Sequence, residues 1–300
     1  MDQISEDYRC GYAAIVGRPN VGKSTLLNRI LGQKISITSR RPQTTRHRIL
    51  GIKTEAEYQA VYIDTPGLHL DAKKAMNRYL NRAAGDALNG VDVVLFVVDG
   101  LKWTEEDQAV LQRLETVSAP VILVINKVDK LDKEDLFAHL DKVSKLRDFH
   151  TIVPLSALKG DNVDAIEGEV AALLPVSEAF FPEEQVTDRS MRFMAAELIR
   201  EKLMRRLGQE LPYAMTVEIE SYKTVKGVVH IHAVIWVERA GQKAIVIGKG
   251  GQGLKGIGQQ ARIELESMLE QKVFLELWVK VKDGWSADER ALRSLGYGDD

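Results

Sequence analysis

The stretch GRPNVGKS, Gly17–Ser24, limits the possible fold more than any other part of the chain. Its spacing, G-x-x-x-x-G-K-S, works only with a strand in front and a helix behind. In that setting the backbone N–H groups of a glycine turn converge on phosphate oxygens, and the helix N-terminus adds partial positive charge. Both flanks are present. Tyr12–Gly17 is an apolar run ending in glycine, and from Lys23 onward Leu26, Leu27, Ile30 and Leu31 fall at helical spacing. This assigns Gly17, Arg18, Pro19, Asn20, Val21, Gly22, Lys23 and Ser24 to phosphate binding. Lys23 is expected on the β- and γ-phosphates and Ser24 on Mg²⁺.

The rest of the first half keeps alternating. Ala60–Asp64, Val91–Asp99, Pro120–Asn126 and Ile152–Leu155 are short apolar runs of the kind that buried parallel strands show. Helical patterns at 105–116 and 134–147 lie between them. Alternating strand and helix predicts a doubly wound α/β domain. With 300 residues there is room for a second domain. The pattern breaks at PVSEAFFPEEQVTDRS, which has prolines, acids and no periodicity. The reading is therefore 1–176 for the first domain, 177–188 for a linker and 189–300 for the second domain. That second part opens on an amphipathic helix, Arg189–Leu207. Two strands follow with no helix between them, Tyr213–Tyr222 and Val228–Arg239, which predicts an α+β domain. Ala244–Ile247 reads as a further short strand, before a helix to about Glu270, a strand Val273–Lys282 and a short terminal helix.

Three further stretches specify the base. Asp64-Thr65-Pro66-Gly67 ends a strand, placing an acid near Mg²⁺, through water, and a glycine N–H near the γ-phosphate. Asn126-Lys127-Val128-Asp129 ends another, where a carboxylate can accept from N1–H and the 2-amino group of guanine, which adenine does not offer. Ser156-Ala157 follows a third, with a backbone N–H expected toward the guanine O6. All lie at strand C-termini, where open α/β sheets bind ligands. The order predicts a GTP-binding and GTP-hydrolysing domain.

Together these stretches resemble the small GTPase superfamily. The spelling GRPNVGKSTLLN, with Gln43-Thr44-Thr45-Arg46-His47 and DTPGLH, is similar to the bacterial translation-factor-related GTPases and, within them, to the Era family. The likeness covers nearly the whole chain. It implies a P-loop GTPase domain followed by a type II K-homology domain. Thr45 resembles the switch threonine that ligates Mg²⁺ when the γ-phosphate is present, with its neighbour Thr44 left open. The switch regions are then Gln43, Thr44, Thr45, Arg46 and His47, and Asp64, Thr65, Pro66, Gly67 and Leu68. The basic loop 38–48 is expected to order on nucleotide and release on hydrolysis. Leu68 stands where Ras-type proteins carry a water-positioning glutamine, and a leucine cannot orient water by a hydrogen bond. Hydrolysis is therefore expected to be slow, or to use other groups. Some related GTPases place K⁺ beside a phosphate-loop asparagine, and Asn20 matches that position.

A second glycine-rich stretch, VIGKGGQGLKGIG from Val246, holds six glycines in thirteen positions. Gly248–Gly253 fits G-x-G-x-x-G, the dinucleotide fingerprint, but that reading needs further βα units and the chain offers none. The alternative is Gly248-Lys249-Gly250-Gly251 as the G-x-x-G loop of a K-homology domain, which joins two helices and clamps a single-stranded RNA backbone. Lys249 supplies charge, and Lys255 and Arg262 follow on a helix whose Leu254, Ile257, Ala261 and Leu265 mark the core face. The family resemblance implies single-stranded RNA near the 3′ end of 16S ribosomal RNA, and a role in 30S subunit maturation.

The remaining readings are bounds. Net charge is −2, slightly acidic before residue 185 and slightly basic after, too mild to identify a partner. The single cysteine, Cys10, fits a reducing compartment. The N-terminus MDQISEDYRC lacks the apolar segment of a secretory signal. A cytoplasmic monomer is expected, with membrane association only peripheral, at the inner face, and no DNA partner. Trp236, Trp278, Val279 and Val281 are expected in the core, the basic face of EKLMRRLGQ in solvent, and Ser286 or Asp288 at the start of the terminal helix. Two other classes compete: a membrane- or signalling-linked switch whose RNA domain only docks, and a P-loop kinase or ATPase, against which Asp129 argues.

Overall fold

The computed structural model describes residues 7–39, 41–67, 75–207, 214–295 and 297. The chain divides into two compact units. One is built mainly from residues up to Asp188. The other runs from Arg189 and takes in short stretches around Thr44 and Arg78.

In the first unit the order is β1 (Arg9–Val16), α1 (Lys23–Ile30), β2 (Ile49–Thr54), β3 (Tyr58–Asp64), α2 (Ala75–Asp86), β4 (Val93–Asp99), α3 (Glu105–Leu114), β5 (Val121–Asn126), α4 (Lys133–Ser144), β6 (Thr151–Leu155) and α5 (Val163–Leu173). Among the described residues these strands form one six-stranded sheet, β2-β3-β1-β4-β5-β6. The strands are parallel except β2, which runs antiparallel to β3. Every residue of β4, VVLFVVD, and of β5, VILVIN, is buried, so the central strands are covered on both faces. Phe96, Val98, Leu123 and Ile125 pack against Val110, Leu111 and Leu114 of α3. That helix starts on a capping box in which Thr104 and Asp107 each accept from the other's backbone N–H. The edge strand β2 had no expected counterpart. The stretch 177–188 runs along this unit: Gln59 Oε1 accepts from the N–H groups of Phe180 and Phe181 at 2.8 and 2.9 Å, and Ile52 N–H donates to the Val186 carbonyl.

The second unit contains α6 (Met191–Arg206), β7 (Met215–Val225), β8 (Val228–Val237), α7 (Ala240–Ile247), α8 (Gln252–Leu269), β9 (Lys272–Val281) and α9 (Glu289–Ser294). Its sheet runs β7-β8-β9, with β7 antiparallel and β9 parallel to β8. The core joins Leu198, Ile199 and Leu203 of α6 to Ile231 and Ile235 of β8, and to Ile257, Ala261 and Leu265 of α8.

Three local expectations are corrected, and one left between two residues is decided. Ala244–Ile247 is the last turn of helix α7, not a strand. Gln242 accepts from the N–H groups of Glu238 and Arg239 at the helix start, and a four-residue β-branched run carries too little periodicity to oppose that cap. Trp278 is 54% exposed and Val281 38% exposed, while Val279 is buried and Trp236 half-buried. In β9, Val273 and Val279 share the core face and Phe274 and Trp278 fall on the opposite one, as strand alternation requires. On α6, Lys202 is buried between Glu201, at 3.0 Å, and Glu264 instead of lying on the solvated face, where Arg205 and Arg206 are exposed as expected. Finally, Asp288 caps α9 by accepting from Arg290 N–H at 2.8 Å, whereas Ser286 Oγ donates to Glu238.

Candidate functional site

Each parallel strand of the first unit delivers one part of the site at its C-terminal end. The loop after β1 is the phosphate loop. Gly17 has φ 152° and Gly22 φ 106°, and a Cβ on Gly22 would lie 2.2 Å from Asn126 Nδ2, so no side chain fits there. Lys23 is 6% exposed, and its Nζ donates to the Gly17 and Arg18 carbonyls at 2.9 and 3.0 Å. Burial, against the pull of Asp64, lowers its pKa to about 8. Gly67 lies against the same loop: a Cβ there would meet Pro19 N at 2.7 Å. Thr65 turns inward, its Oγ1 donating to the Ile15 carbonyl at 2.8 Å.

Hydroxyls and one carboxylate gather beside Lys23. Ser24 Oγ donates to Asp64 Oδ2 at 2.7 Å and lies 2.7 Å from Thr45 Oγ1. Ser36 Oγ donates to the same Asp64 oxygen at 2.8 Å. Asp64 is fully buried, and Oδ1 is left without a hydrogen-bond partner. Burial raises its pKa, with the Ser24 hydrogen bond and the Lys23 charge pulling it back. Among the described residues no group of three or more His, Cys, Asp or Glu side chains is placed to hold a metal. The donor set here is oxygen only, which suits a hard cation such as Mg²⁺. The geometry also separates the two threonines: Thr44 Oγ1 donates to the Arg41 carbonyl at 2.6 Å and pairs with Ser39 Oγ, whereas Thr45 reaches Ser24. Arg46 is buried and Gln43 Nε2 donates to Asn77 Oδ1 at 2.7 Å, while His47 belongs to the same loop. Leu68 lies outside the described residues.

The base-reading segments are tied to the phosphate loop. Asn126 Nδ2 donates to the Val21 carbonyl at 2.7 Å, and its Oδ1 accepts from Lys127 N–H and Ala157 N–H at 2.7 and 3.0 Å. Of the Ser156-Ala157 pair, the Ala157 N–H is thus bonded to Asn126. Ser156 Oγ donates to Asp129 Oδ1 at 2.7 Å, which orients that carboxylate beside the half-exposed Val128. From α1, Arg29 donates to the carbonyls of Ala157 and Leu158 at 3.2 and 2.5 Å.

Several residues here carry no motif signal. Lys127 Nζ donates to the Asn20 carbonyl and to Asp99 Oδ2, each at 2.6 Å. Burial pushes Asp99 up, but the Lys127 ammonium and the Leu101 N–H outweigh it and hold the carboxyl below its usual range. Arg18 Nε donates to buried Asp107 Oδ2 at 3.0 Å. Asp99 ends β4 as Asp64 ends β3 and Asn126 ends β5, and that shared position was the available signal. Asp107 and Ser36 had none.

In the second unit the glycine loop joins α7 to α8. Gly248, Gly250 and Gly251 have φ of 72°, 58° and 77°, a run of left-handed backbone closed to most side chains. Lys249 is exposed, as are Lys255 and Arg262 on α8; Arg262 also pairs with Glu266 at 3.2 Å. An open groove of about 680 Å³ runs from Gly251 past Lys255, Gly258 and Arg262 to Leu275 and Leu277 of β9.

Comparison with known proteins agrees in both units. Residues 12–127 match the family model described as a 50S ribosome-binding GTPase, and 210–286 match a KH domain. The chain is 62% identical over 299 residues to the GTPase Era of Pseudomonas aeruginosa, covering 99% of this chain and 98% of that one. It superposes with a TM-score of 0.94 and 40% identity on an Aquifex aeolicus Era variant bound to GDP and AlF4⁻, covering 97% of this chain and all of the other. An Era structure with MgGDPNP and nucleotides 1506–1542 of 16S ribosomal RNA matches with the same score, identity and coverage. A phosphate loop cross-linked to Asn126 at the end of β5, followed by a K-homology unit and shared along nearly the full length with these proteins, places the chain in the Era family of GTPases.

Proposed function

We propose that this GTPase is a switch that grips single-stranded RNA near the 3′ end of 16S ribosomal RNA and serves 30S subunit maturation. The observation that carries the reading is the left-handed glycine loop at Gly248–Gly251 opening onto the groove beside Lys255 and Arg262. Backbone approaches a phosphate chain closely at such a loop, and apolar Leu275 and Leu277 offer surface for bases. The Era structure holding both MgGDPNP and a 16S fragment supports the pairing of ligands.

At the nucleotide, Lys23 is expected to leave the Gly17 and Arg18 carbonyls for the phosphates. Ser24, Thr45 and Asp64, the last through water, would hold Mg²⁺, and the unpartnered Asp64 Oδ1 is the atom that invites it. Bound there, the ion supplies charge neutralisation for the transferring phosphoryl group. Asn20, exposed and with φ 65°, is the proposed neighbour of K⁺. Asp129, already oriented by Ser156, accepts from the guanine edge. The proposal includes a cytoplasmic location, a reducing compartment that suits a lone buried Cys10.

The test is filter binding of a 16S 3′-end oligonucleotide across a salt series, with GTP or GDP bound. Affinity that falls with rising salt supports the reading. Equal affinity for a scrambled oligonucleotide overturns it.

A further inference from the structure

Asp64 gives one oxygen to the chain and keeps the other apart. Its Oδ2 accepts from Ser24 Oγ at 2.7 Å and Ser36 Oγ at 2.8 Å, with Thr45 Oγ1 at 3.5 Å, while buried Oδ1 accepts nothing. Ser24 and Thr45 are assigned to the metal on their own account. Ser36 is not. It is 1% exposed, precedes the 38–48 loop and belongs to none of the GTPase motifs. A buried hydroxyl from outside every motif points at the metal carboxylate.

That hydroxyl is held from α1. Asn28 Oδ1 accepts from Ile35 N–H and Ser36 N–H, each at 3.0 Å, and Asn28 Nδ2 donates to the Ser36 carbonyl at 2.7 Å. Three hydrogen bonds from one amide fix the Ser36 backbone on both sides. Asn28 stands four residues after Ser24, on the same face of α1, so the clamp and the metal-binding hydroxyl rise from one rigid helix.

We propose that Ser36, set by Asn28, is a positioning residue for the divalent cation: it pins the Asp64 carboxylate beside Ser24 and Thr45, the hydroxyls that would hold the ion. The terminal torsion of an aspartate is broad, with no single staggered well to hold it. Ser24 alone leaves the carboxylate free to pivot about one hydrogen bond, and a second hydroxyl at a different angle removes that freedom. Outer partners of metal-binding carboxylates commonly contribute ten- to a hundredfold in metal affinity.

The inference rests on the Mg²⁺ reading above, and the test separates the two. Release of a fluorescent GDP analogue from the full-length protein is followed as free Mg²⁺ is varied, and again in excess EDTA. Wild type should release more slowly as Mg²⁺ rises, with a defined midpoint. Ser36→Ala should raise that midpoint about tenfold while its release rate in EDTA stays within twofold of wild type. Asn28→Ala, which leaves the hydroxyl but frees its backbone, should move the midpoint in the same direction by a smaller factor and serves where Ser36→Ala folds poorly. Unchanged midpoints in both variants overturn the proposal with the metal reading intact. Faster release in EDTA by the same factor means Ser36 only packs the loop, and also overturns it. A wild-type rate indifferent to Mg²⁺ removes the metal reading and this proposal with it.

Discussion

Lys23 illustrates how burial turns one residue into a titration handle. Its pKa is lowered to about 8 because the phosphate loop removes it from water. A bound phosphate restores the charged form, so nucleotide binding above that pH takes up a proton. Below pH 8 the free protein is already protonated and the linkage vanishes. GDP affinity should therefore fall by up to about tenfold per pH unit above 8. Titration calorimetry at pH 9 in two buffers of different ionisation enthalpy measures the proton directly; equal apparent enthalpies would refute the assignment. Asp129 gives a second residue-scale prediction. Asp129→Asn keeps an oxygen for Ser156 Oγ, now 2.7 Å away, but offers an amide to a base that presents N–H groups. GTP should bind at least about tenfold more weakly, and xanthosine triphosphate should bind better than GTP. Competition between the two nucleotides decides it.

Elements explain both what was legible and what was not. The phosphate loop, Asp64, Asn126 and Asp129 were readable because each sits at a strand end where spacing and chemistry coincide. Long apolar runs such as VVLFVVD and VILVIN announce central strands by composition alone. Edge strand β2, ILGIKT, is as long as β5 but follows a basic loop and breaks its apolar run with a glycine and a lysine, so little separates it from loop. Helix α7 ends in AIVI, whose β-branched residues favour a strand, and the local cap by Gln242 at the helix start wins. Ser36 meets Asp64, and Asn28 holds Ser36, only in the folded chain, which spacing does not encode. The glycine loop carries this scale's prediction. Gly248→Asp with Gly251→Asp puts branched side chains and two negative charges into left-handed backbone beside the groove. RNA affinity should drop at least tenfold, roughly 1.4 kcal/mol, with GTP hydrolysis near wild type. Filter binding and a GTPase assay on one preparation check both halves, and unchanged RNA affinity would sink the K-homology assignment.

At the scale of the whole molecule, each unit owns a separate core. Among the described residues, the second one closes around Leu198, Ile231, Ile235, Ile257 and Leu265 with no apolar residue from before Arg189 in its cluster. A fragment of residues 185–300 should therefore melt cooperatively by circular dichroism. Leu265→Ala within it should cost about 2–5 kcal/mol, the price of a buried leucine cavity. A fragment with no cooperative transition would mean that this core needs the preceding chain.

The Asn126 side chain has a consequence in time. It joins Val21, Lys127 and Ala157, so the nucleotide pocket is assembled from sequence far apart. While the chain is being synthesised, a phosphate loop made first has no base-reading partner until β6 and Ala157 have emerged. From that moment guanine nucleotide can clasp the newborn first unit, while the second still awaits translation for roughly 10–30 s at ordinary elongation rates. Stalled nascent chains of increasing length should thus capture labelled GDP abruptly once Ala157 is exposed, and chains that capture it before β6 emerges would contradict this order of events.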